Sequence, residues 1–149
     1  MGKFFPLYIS LERCRVLVYG GGRIASRRVG VLAQFGASIR IISPEIQPET
    51  RYLPEVTYEP GVFDPATMPS ADLVLAATSD PAVNHAVAVL CRARGIPVNS
   101  ASDQADCDFQ FPAVAIQGPL VAGVNAGGLD HALVRRAAAA IRRTLEELA

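Results

Sequence analysis

Three consecutive glycines at positions 20–22 separate two runs of different character. The run before them, RVLVY at residues 15–19, has the β-branched composition of a buried strand. The residues after them, 23–36, repeat apolar side chains at helical spacing, which predicts a helix. Ile24, Val29, Leu32 and Phe35 are predicted to share the buried face of this helix. A second apolar run at residues 38–43 then completes the strand–helix–strand unit of a parallel sheet.

The glycine loop has the spacing of a dinucleotide-binding fingerprint. Gly20, Gly22 and Ala25 fit the pattern G-x-G-x-x-A between a predicted strand and a predicted helix, which is the context that this fingerprint requires. Glycine lets the backbone approach a pyrophosphate, and the helix start offers unpaired N–H groups. The loop therefore predicts a phosphate cradle, the alternative being a glycine turn without a ligand. The candidate cofactor-binding residues here are Gly20, Gly21, Gly22, Arg23 and Ile24.

The rest of the chain extends this pattern and then departs from it. Asp80, Pro81 and Gly95 mark the start and end of a further helix between two apolar runs. The fold class is therefore predicted to be α/β, a Rossmann-like, doubly wound, mostly parallel sheet, followed by an antiparallel hairpin and a C-terminal helix capped by Asp130. We expect an NAD-binding domain at residues 1–112 and a dimerisation or substrate region at residues 113–149.

Charge and cysteine content indicate which partners and which cellular location the sequence favours. Lys and Arg number 14, and Asp and Glu also number 14, so no basic excess favours a nucleic acid or an anionic membrane. Charges interrupt every apolar run, and the first residues lack the features of a signal peptide. The three cysteines form no C-x-x-C pair. We therefore expect a soluble, cytoplasmic protein with free thiols.

The end of the second predicted strand bears on the choice of cofactor. An acidic residue is expected there to bind the ribose of NAD, but the sequence has Ser43 and Pro44, with Glu45 next. Ser43 can still bond a ribose hydroxyl. No arginine follows the strand to bind a 2'-phosphate, although Arg23 lies in the glycine loop. The pattern favours NAD over NADP.

Three motifs in the same order resemble the precorrin-2 dehydrogenase family, the NAD-dependent domain of siroheme synthases. They are the triple-glycine loop, AATSDPAVN at residues 76–84 and CDFQFPA at residues 107–113. The resemblance implies NAD-dependent oxidation of precorrin-2 to sirohydrochlorin, with iron insertion at the same site in some members. It also implies a homodimer. Because members usually continue past the last helix, it further implies a chain truncated relative to the family.

Candidate site residues follow from the resemblance and from the strand ends. Thr78, Ser79 and Asp80 after the fourth strand, and Asn99 in the fifth, are expected to border the nicotinamide. A carboxylate is needed to accept the proton that the substrate loses. Members carry an aspartate three or four residues after the asparagine, and this chain has Ser102 and then Asp103. Asp103 is the first candidate base and Asp106 the second, whereas Asp108 is expected to be structural.

A second departure lies before the last helix, where family members commonly have serines. Here the substrate-binding candidates are Asn125, Gly127, Gly128 and His131, and His85 is expected to be merely solvated. Two histidines and three scattered cysteines have no metal-ligand spacing, so no permanent metal site is predicted. Two other interpretations stay open: a member that binds NAD or tetrapyrrole without turnover, and a nucleotide-sensing Rossmann module.

Overall fold

The computed structural model describes residues 3–149 and divides into two compact units. The larger unit is Ile9–Phe109, and the smaller one combines residues 3–8 with residues 110–149. Residues 1 and 2, at the start of the predicted domain 1–112, lie outside the described residues. The division into functional domains at 1–112 and 113–149 stays a prediction.

A five-stranded parallel sheet forms the centre of the larger unit, in the order β3-β2-β1-β4-β5. This confirms the predicted doubly wound α/β fold, because the chain runs from β1 to one side and then crosses to the other. A short 3-10 helix, Gln104–Asp106, follows the sheet. The elements are β1 (Arg15–Tyr19), α1 (Arg23–Ala33), β2 (Ser38–Ser43), α2 (Pro48–Arg51), β3 (Val56–Pro60), β4 (Leu73–Ala76), α3 (Pro81–Arg94) and β5 (Val98–Ser100).

The sheet is buried because its central strands are apolar on both faces, as parallel strands covered by helices usually are. One core cluster joins Leu17 and Tyr19 of β1 to Val87 and Cys91 of α3. Tyr19 is 1% exposed, and its ring meets Phe63 edge-on at a centroid distance of 5.1 Å.

Helix α1 packs through a stripe that differs from the predicted one at its first position. It buries Ala25, Val29 and Leu32, at spacings of four and three residues. Ile24 is 44% exposed, so its predicted place on the buried face is wrong. The physical reason is that one residue rotates the side-chain direction by about 100° around a helix, and the stripe is centred on Ala25.

The caps of α3 are those that the sequence indicates. The Asp80 carboxylate accepts a hydrogen bond from the Ala82 amide at 2.9 Å, and Pro81 occupies the first turn. Gly95 ends the helix in the left-handed conformation with φ +67°. These residues fix where the loop after β4 begins the helix.

The smaller unit contains the predicted hairpin and helix. Strands β6 (Ala113–Gln117) and β7 (Leu120–Val124) pair antiparallel, and α4 (His131–Leu148) follows. The Asp130 carboxylate caps α4 by accepting a hydrogen bond from the Leu133 amide at 2.8 Å. Among the helices of residues 3–149, none has the length and apolar character needed to cross a membrane.

Candidate functional site

The loops that carry the predicted cofactor residues meet at the carboxyl ends of the parallel strands. Strand β1 pairs with β2 on one side and with β4 on the other, so the connections after β1 and β4 lead to opposite faces of the sheet. A crevice at such a topological switch point is where open α/β sheets bind their ligands.

Gly20 and Gly21 are required by the packing of these loops on one another. Gly20 has φ +115°, and a Cβ there would overlap the carbonyl oxygen of Ala77 after β4. A Cβ on Gly21 would overlap the carbonyl oxygen of Glu45 after β2. Backbone hydrogen bonds hold the same contacts, since the Gln47 amide donates to the Gly21 carbonyl at 3.2 Å. The packing of the loops therefore requires glycine at both positions, whether or not a ligand binds.

At Gly22, in contrast, packing within the protein does not exclude a side chain. Its φ is −81°, which any residue adopts, and no atom lies within 4 Å of a Cβ built on it. It is the N-cap of α1 without a side-chain cap, and the first turn of α1 contains no acidic residue. The positive end of the helix dipole is therefore open to an anion. Ala25, only 1% exposed, supplies the close helix–strand packing of the fingerprint's last position.

The end of β2 is fixed by a tyrosine from β3. The Tyr58 hydroxyl donates to the carbonyl oxygens of Ser43 and Pro44, at 3.1 Å each. Ser43 is only 6% exposed. The predicted ribose-binding residues thus lie beside the loop that contacts Gly21, at the same end of the sheet.

The loop after β4 is organised by Asn84, a residue that the sequence analysis did not single out. Its side chain is fully buried and accepts hydrogen bonds from the Thr78 amide at 3.0 Å and the Thr78 hydroxyl at 2.7 Å. Its amide nitrogen donates to the Thr78 carbonyl and to the Ser102 hydroxyl. Ser79 and Asp80 are exposed, and the Asp80 carboxylate is used as the helix cap. In the sequence, Asn84 could have been found as a polar residue that falls on the apolar, buried face of α3.

Asn99 is buried, and its side-chain amide forms hydrogen bonds with other residues of the protein. The Arg28 guanidinium donates to Asn99 Oδ1 at 2.6 Å, and Asn99 Nδ2 donates to the Phe109 carbonyl at 2.7 Å. Burial lowers the pKa of Arg28. Asn99 therefore joins α1, β5 and the following loop. Arg28 was missed because a helical arginine reads as a solvated residue.

The two candidate bases have different surroundings. Asp103 is exposed, and its carboxylate caps the 3-10 helix by accepting from the Ala105 amide at 2.9 Å. Asp106 is buried and pairs with His85 Nδ1 at 2.8 Å and with the Arg92 guanidinium at 3.4 Å. The expectation that His85 is merely solvated is therefore wrong. Asp108 accepts from the Val98 amide at 3.0 Å.

The substrate-binding candidates belong to the smaller unit. Asn125 Oδ1 accepts from the Gly127 amide at 2.8 Å, in a turn where Gly127 and Gly128 have φ +63° and +77°. His131 is the first residue of α4 and is exposed. Within residues 3–149, no group of three or more His, Cys, Asp or Glu side chains is arranged to hold a metal ion.

Comparisons with known proteins agree with this geometry. A family model described as "Putative NAD(P)-binding" matches residues 7–113. The chain is 38% identical over 149 residues to a siroheme synthase of Chromobacterium violaceum and 40% identical over 133 residues to one of Methylobacillus flagellatus. These alignments cover 98% and 87% of this chain but only 31% and 28% of the relatives.

A solved structure also resembles this chain. The structure of "SirC, precorrin-2 dehydrogenase" superposes with a TM-score of 0.75 at 25% identity, covering 95% of this chain and 71% of that one. The sequence resemblance to this group of proteins is thereby confirmed. The match over residues 7–113 spans most of the chain, which therefore belongs to this family of NAD(P)-binding domains.

Proposed function

We propose that this chain binds NAD at the glycine loop and oxidises precorrin-2 to sirohydrochlorin in siroheme biosynthesis. The observation that carries the proposal is Gly22, a glycine that neither backbone strain nor packing requires, at the uncapped start of α1. The reaction is supported by the names of the similar proteins, which are siroheme synthases and a precorrin-2 dehydrogenase.

The cofactor site that we propose uses three loops. Gly20, Gly21, Gly22, Arg23 and Ile24 hold the pyrophosphate, through backbone N–H groups at the start of α1. Ser43 and Pro44 border the ribose, where the absence of a basic side chain at positions 43–47 favours NAD over NADP. Thr78, Ser79 and Asp80 border the nicotinamide, with Asn99 holding β5 beside them. NAD, when bound, supplies the hydride acceptor.

The protein must also accept a proton, because the substrate loses one hydride and one proton. Asp103 is the first candidate for this role, since its carboxylate is exposed and has no ion-pair partner among the described residues. Asp106 is the second candidate, but its two oxygens already contact the His85 ring and the Arg92 guanidinium. A buried carboxylate whose two oxygens are both in contact with side chains is less accessible to a substrate than an exposed one.

The remaining parts of the proposal concern substrate and assembly. Asn125, Gly127, Gly128 and His131 are proposed to contact the carboxylates of the tetrapyrrole. We infer a homodimer from the family resemblance, and the balanced charge favours neither a nucleic acid nor a membrane as a partner. The three free cysteines support a cytoplasmic location.

The experiment that tests the proposal separates cofactor binding from turnover. Purified protein is mixed anaerobically with precorrin-2 and NAD, and NADH and sirohydrochlorin absorbance are followed. Gly22→Val is compared with Gly30→Ala, a glycine of the same helix whose added Cβ also meets nothing within 4 Å. We expect Gly22→Val to lose NAD affinity at least about tenfold by steric exclusion of the phosphate, and Gly30→Ala to retain it. Equal NAD affinity in both variants would contradict the proposed cradle.

A second candidate function is binding of NAD and tetrapyrrole without turnover. It is favoured by the Ser102 hydroxyl, which accepts from Asn84 at 2.6 Å at one of the two positions where the family carries an aspartate. In that case both ligands bind, but no NADH forms. Loss of turnover in Asp103→Ala, with wild-type turnover present, would instead assign the proton acceptor to Asp103.

A further inference from the structure

We propose that Asp106 is a positioning residue, which together with His85 and Arg92 anchors residues 101–108 on helix α3 and so sets the place of Asp103. The role of Asp103 rests on the proposed function, whereas the anchoring rests on geometry alone. Nothing in the comparisons assigns a role to these three side chains.

The first support is the contact of one buried carboxylate with a histidine and an arginine of one helix. The Asp106 side chain is 7% exposed, while those of His85 and Arg92 are 63% and 43% exposed. Asp106 Oδ2 lies 2.8 Å from His85 Nδ1, and Oδ1 lies 3.4 Å from the Arg92 guanidinium. His85 and Arg92 are seven residues apart, about two turns, so they share one face of α3.

The second support is that Arg92 contacts the segment at more than one point. Its guanidinium donates to the Ala105 carbonyl at 2.6 Å, and its Nε lies 3.9 Å from Asp108 Oδ1. One arginine thus contacts residues before, at and after Asp106. Removing one partner of a buried ion pair leaves the other charge without compensation, which is costly.

The third support is that the anchored turn forms hydrogen bonds with the backbone and the carboxylate of Asp103. The Asp106 amide donates to the Asp103 carbonyl at 3.2 Å, and the Ala105 amide donates to the Asp103 carboxylate at 2.9 Å. The Cys107 thiol donates to the Asp103 carbonyl at 3.4 Å. These hydrogen bonds tie the Asp103 backbone and carboxylate to the turn. The two aspartates have different roles: Asp106 holds the turn, and Asp103 projects from it.

Cys107 provides a readout that does not depend on catalysis. It lies within the anchored segment, where the Ser100 amide donates to its sulfur at 3.2 Å. Burial raises the pKa of this thiol, so alkylation is slow while the segment is closed. We expect Arg92→Ala and Asp106→Asn to accelerate iodoacetamide alkylation of Cys107 about tenfold, as local opening becomes more frequent. The fully buried Cys91 is the internal standard, read by mass spectrometry.

The matched control is Arg94→Ala. Arg94 is on the same helix but donates to the carbonyl oxygens of Met68 and Pro65, away from the segment. It should leave the Cys107 alkylation rate unchanged, and Arg92→Lys should restore part of the protection. Equal Cys107 rates in wild type, Arg92→Ala and Asp106→Asn would overturn the anchoring.

Catalysis provides the second test. Arg92→Ala and Asp106→Asn should lower kcat about tenfold at an unchanged Kd for NAD, and neither should lower it further in an Asp103→Ala background, because coupled residues are not additive. Fully additive losses in the double variants would refute positioning through Asp103. If the wild type shows no turnover of precorrin-2, the proposed function fails, and Cys107 alkylation still decides the anchoring.

Discussion

Asn84 and Thr78 are joined by three hydrogen bonds, two accepted by the Asn84 carbonyl oxygen and one donated by its amide nitrogen. The same amide nitrogen reaches the Ser102 hydroxyl at 2.6 Å. A single buried side chain therefore connects the loop after β4 to the loop after β5. The shape of this end of the proposed cofactor site depends on that connection.

Asn84→Leu is expected to lower the free energy of unfolding by about 2–3 kcal/mol, because it leaves the Thr78 amide and carbonyl without these partners. NAD affinity should fall as well, since the loop at residues 78–80 loses its support. Urea unfolding and NAD titration measure the two effects. Val89→Ala, at an exposed position of the same helix, is the control and should change neither quantity.

The three glycines of the loop should respond differently to alanine. Gly20→Ala and Gly21→Ala place a Cβ against the carbonyl oxygens of Ala77 and Glu45 and should each cost about 1–3 kcal/mol of stability. Gly22→Ala should cost less, because no atom lies within 4 Å of the added Cβ and only the preference for glycine over alanine at an N-cap is lost. Thermal unfolding of the three variants without NAD distinguishes them. A Gly22 variant as unstable as the other two would remove the argument for a ligand at this glycine.

Much of this arrangement could be predicted from sequence, because strands, helices and caps depend on local patterns. Asp80 and Gly95 cap α3 as predicted for that reason. The pairing of His85 with Asp106, and of Arg28 with Asn99, joins residues 21 and 71 positions apart, respectively. No local pattern encodes such contacts, since they depend on how helices pack beside strand ends.

The roles of the site residues show the same limit. A sequence pattern places Asp103 and Asp106 in one polar loop, but it does not distinguish an exposed carboxylate from a buried, paired one. Burial is decided by α3, which supplies both side chains that contact Asp106. Likewise, a glycine pattern does not reveal which glycines the protein itself needs, because this depends on the carbonyl oxygens of distant loops.

Asp80 is predicted to act chiefly as a helix cap. Asp80→Ala removes the acceptor for the Ala82 amide and should cost about 1 kcal/mol of stability, whereas Asp80→Asn keeps an acceptor and most of the stability. The midpoint of urea unfolding measures the difference. If both variants unfold like the wild type yet lose NAD affinity, the carboxylate contributes to the cofactor site rather than to the cap.

Stability should fall at alkaline pH because two buried groups resist ionisation. Burial raises the pKa of Cys91 to about 11 and that of Tyr19 to about 12. The unfolded chain releases these protons at lower pH, so it binds fewer protons than the folded state and stability decreases as pH rises. The contribution is complete below about pH 9 and is lost progressively as the pH rises through the folded-state values.

Each group should contribute on the order of 2 kcal/mol to this loss, since both side chains are almost fully buried. Cys91→Ala should flatten the dependence of unfolding free energy on pH between about 9 and 11, and Tyr19→Phe between about 10 and 12. Phenylalanine keeps the edge contact with Phe63, so the second variant isolates the hydroxyl. Urea unfolding across this pH range gives the slopes. Wild-type slopes in both variants would show that other groups govern alkaline unfolding.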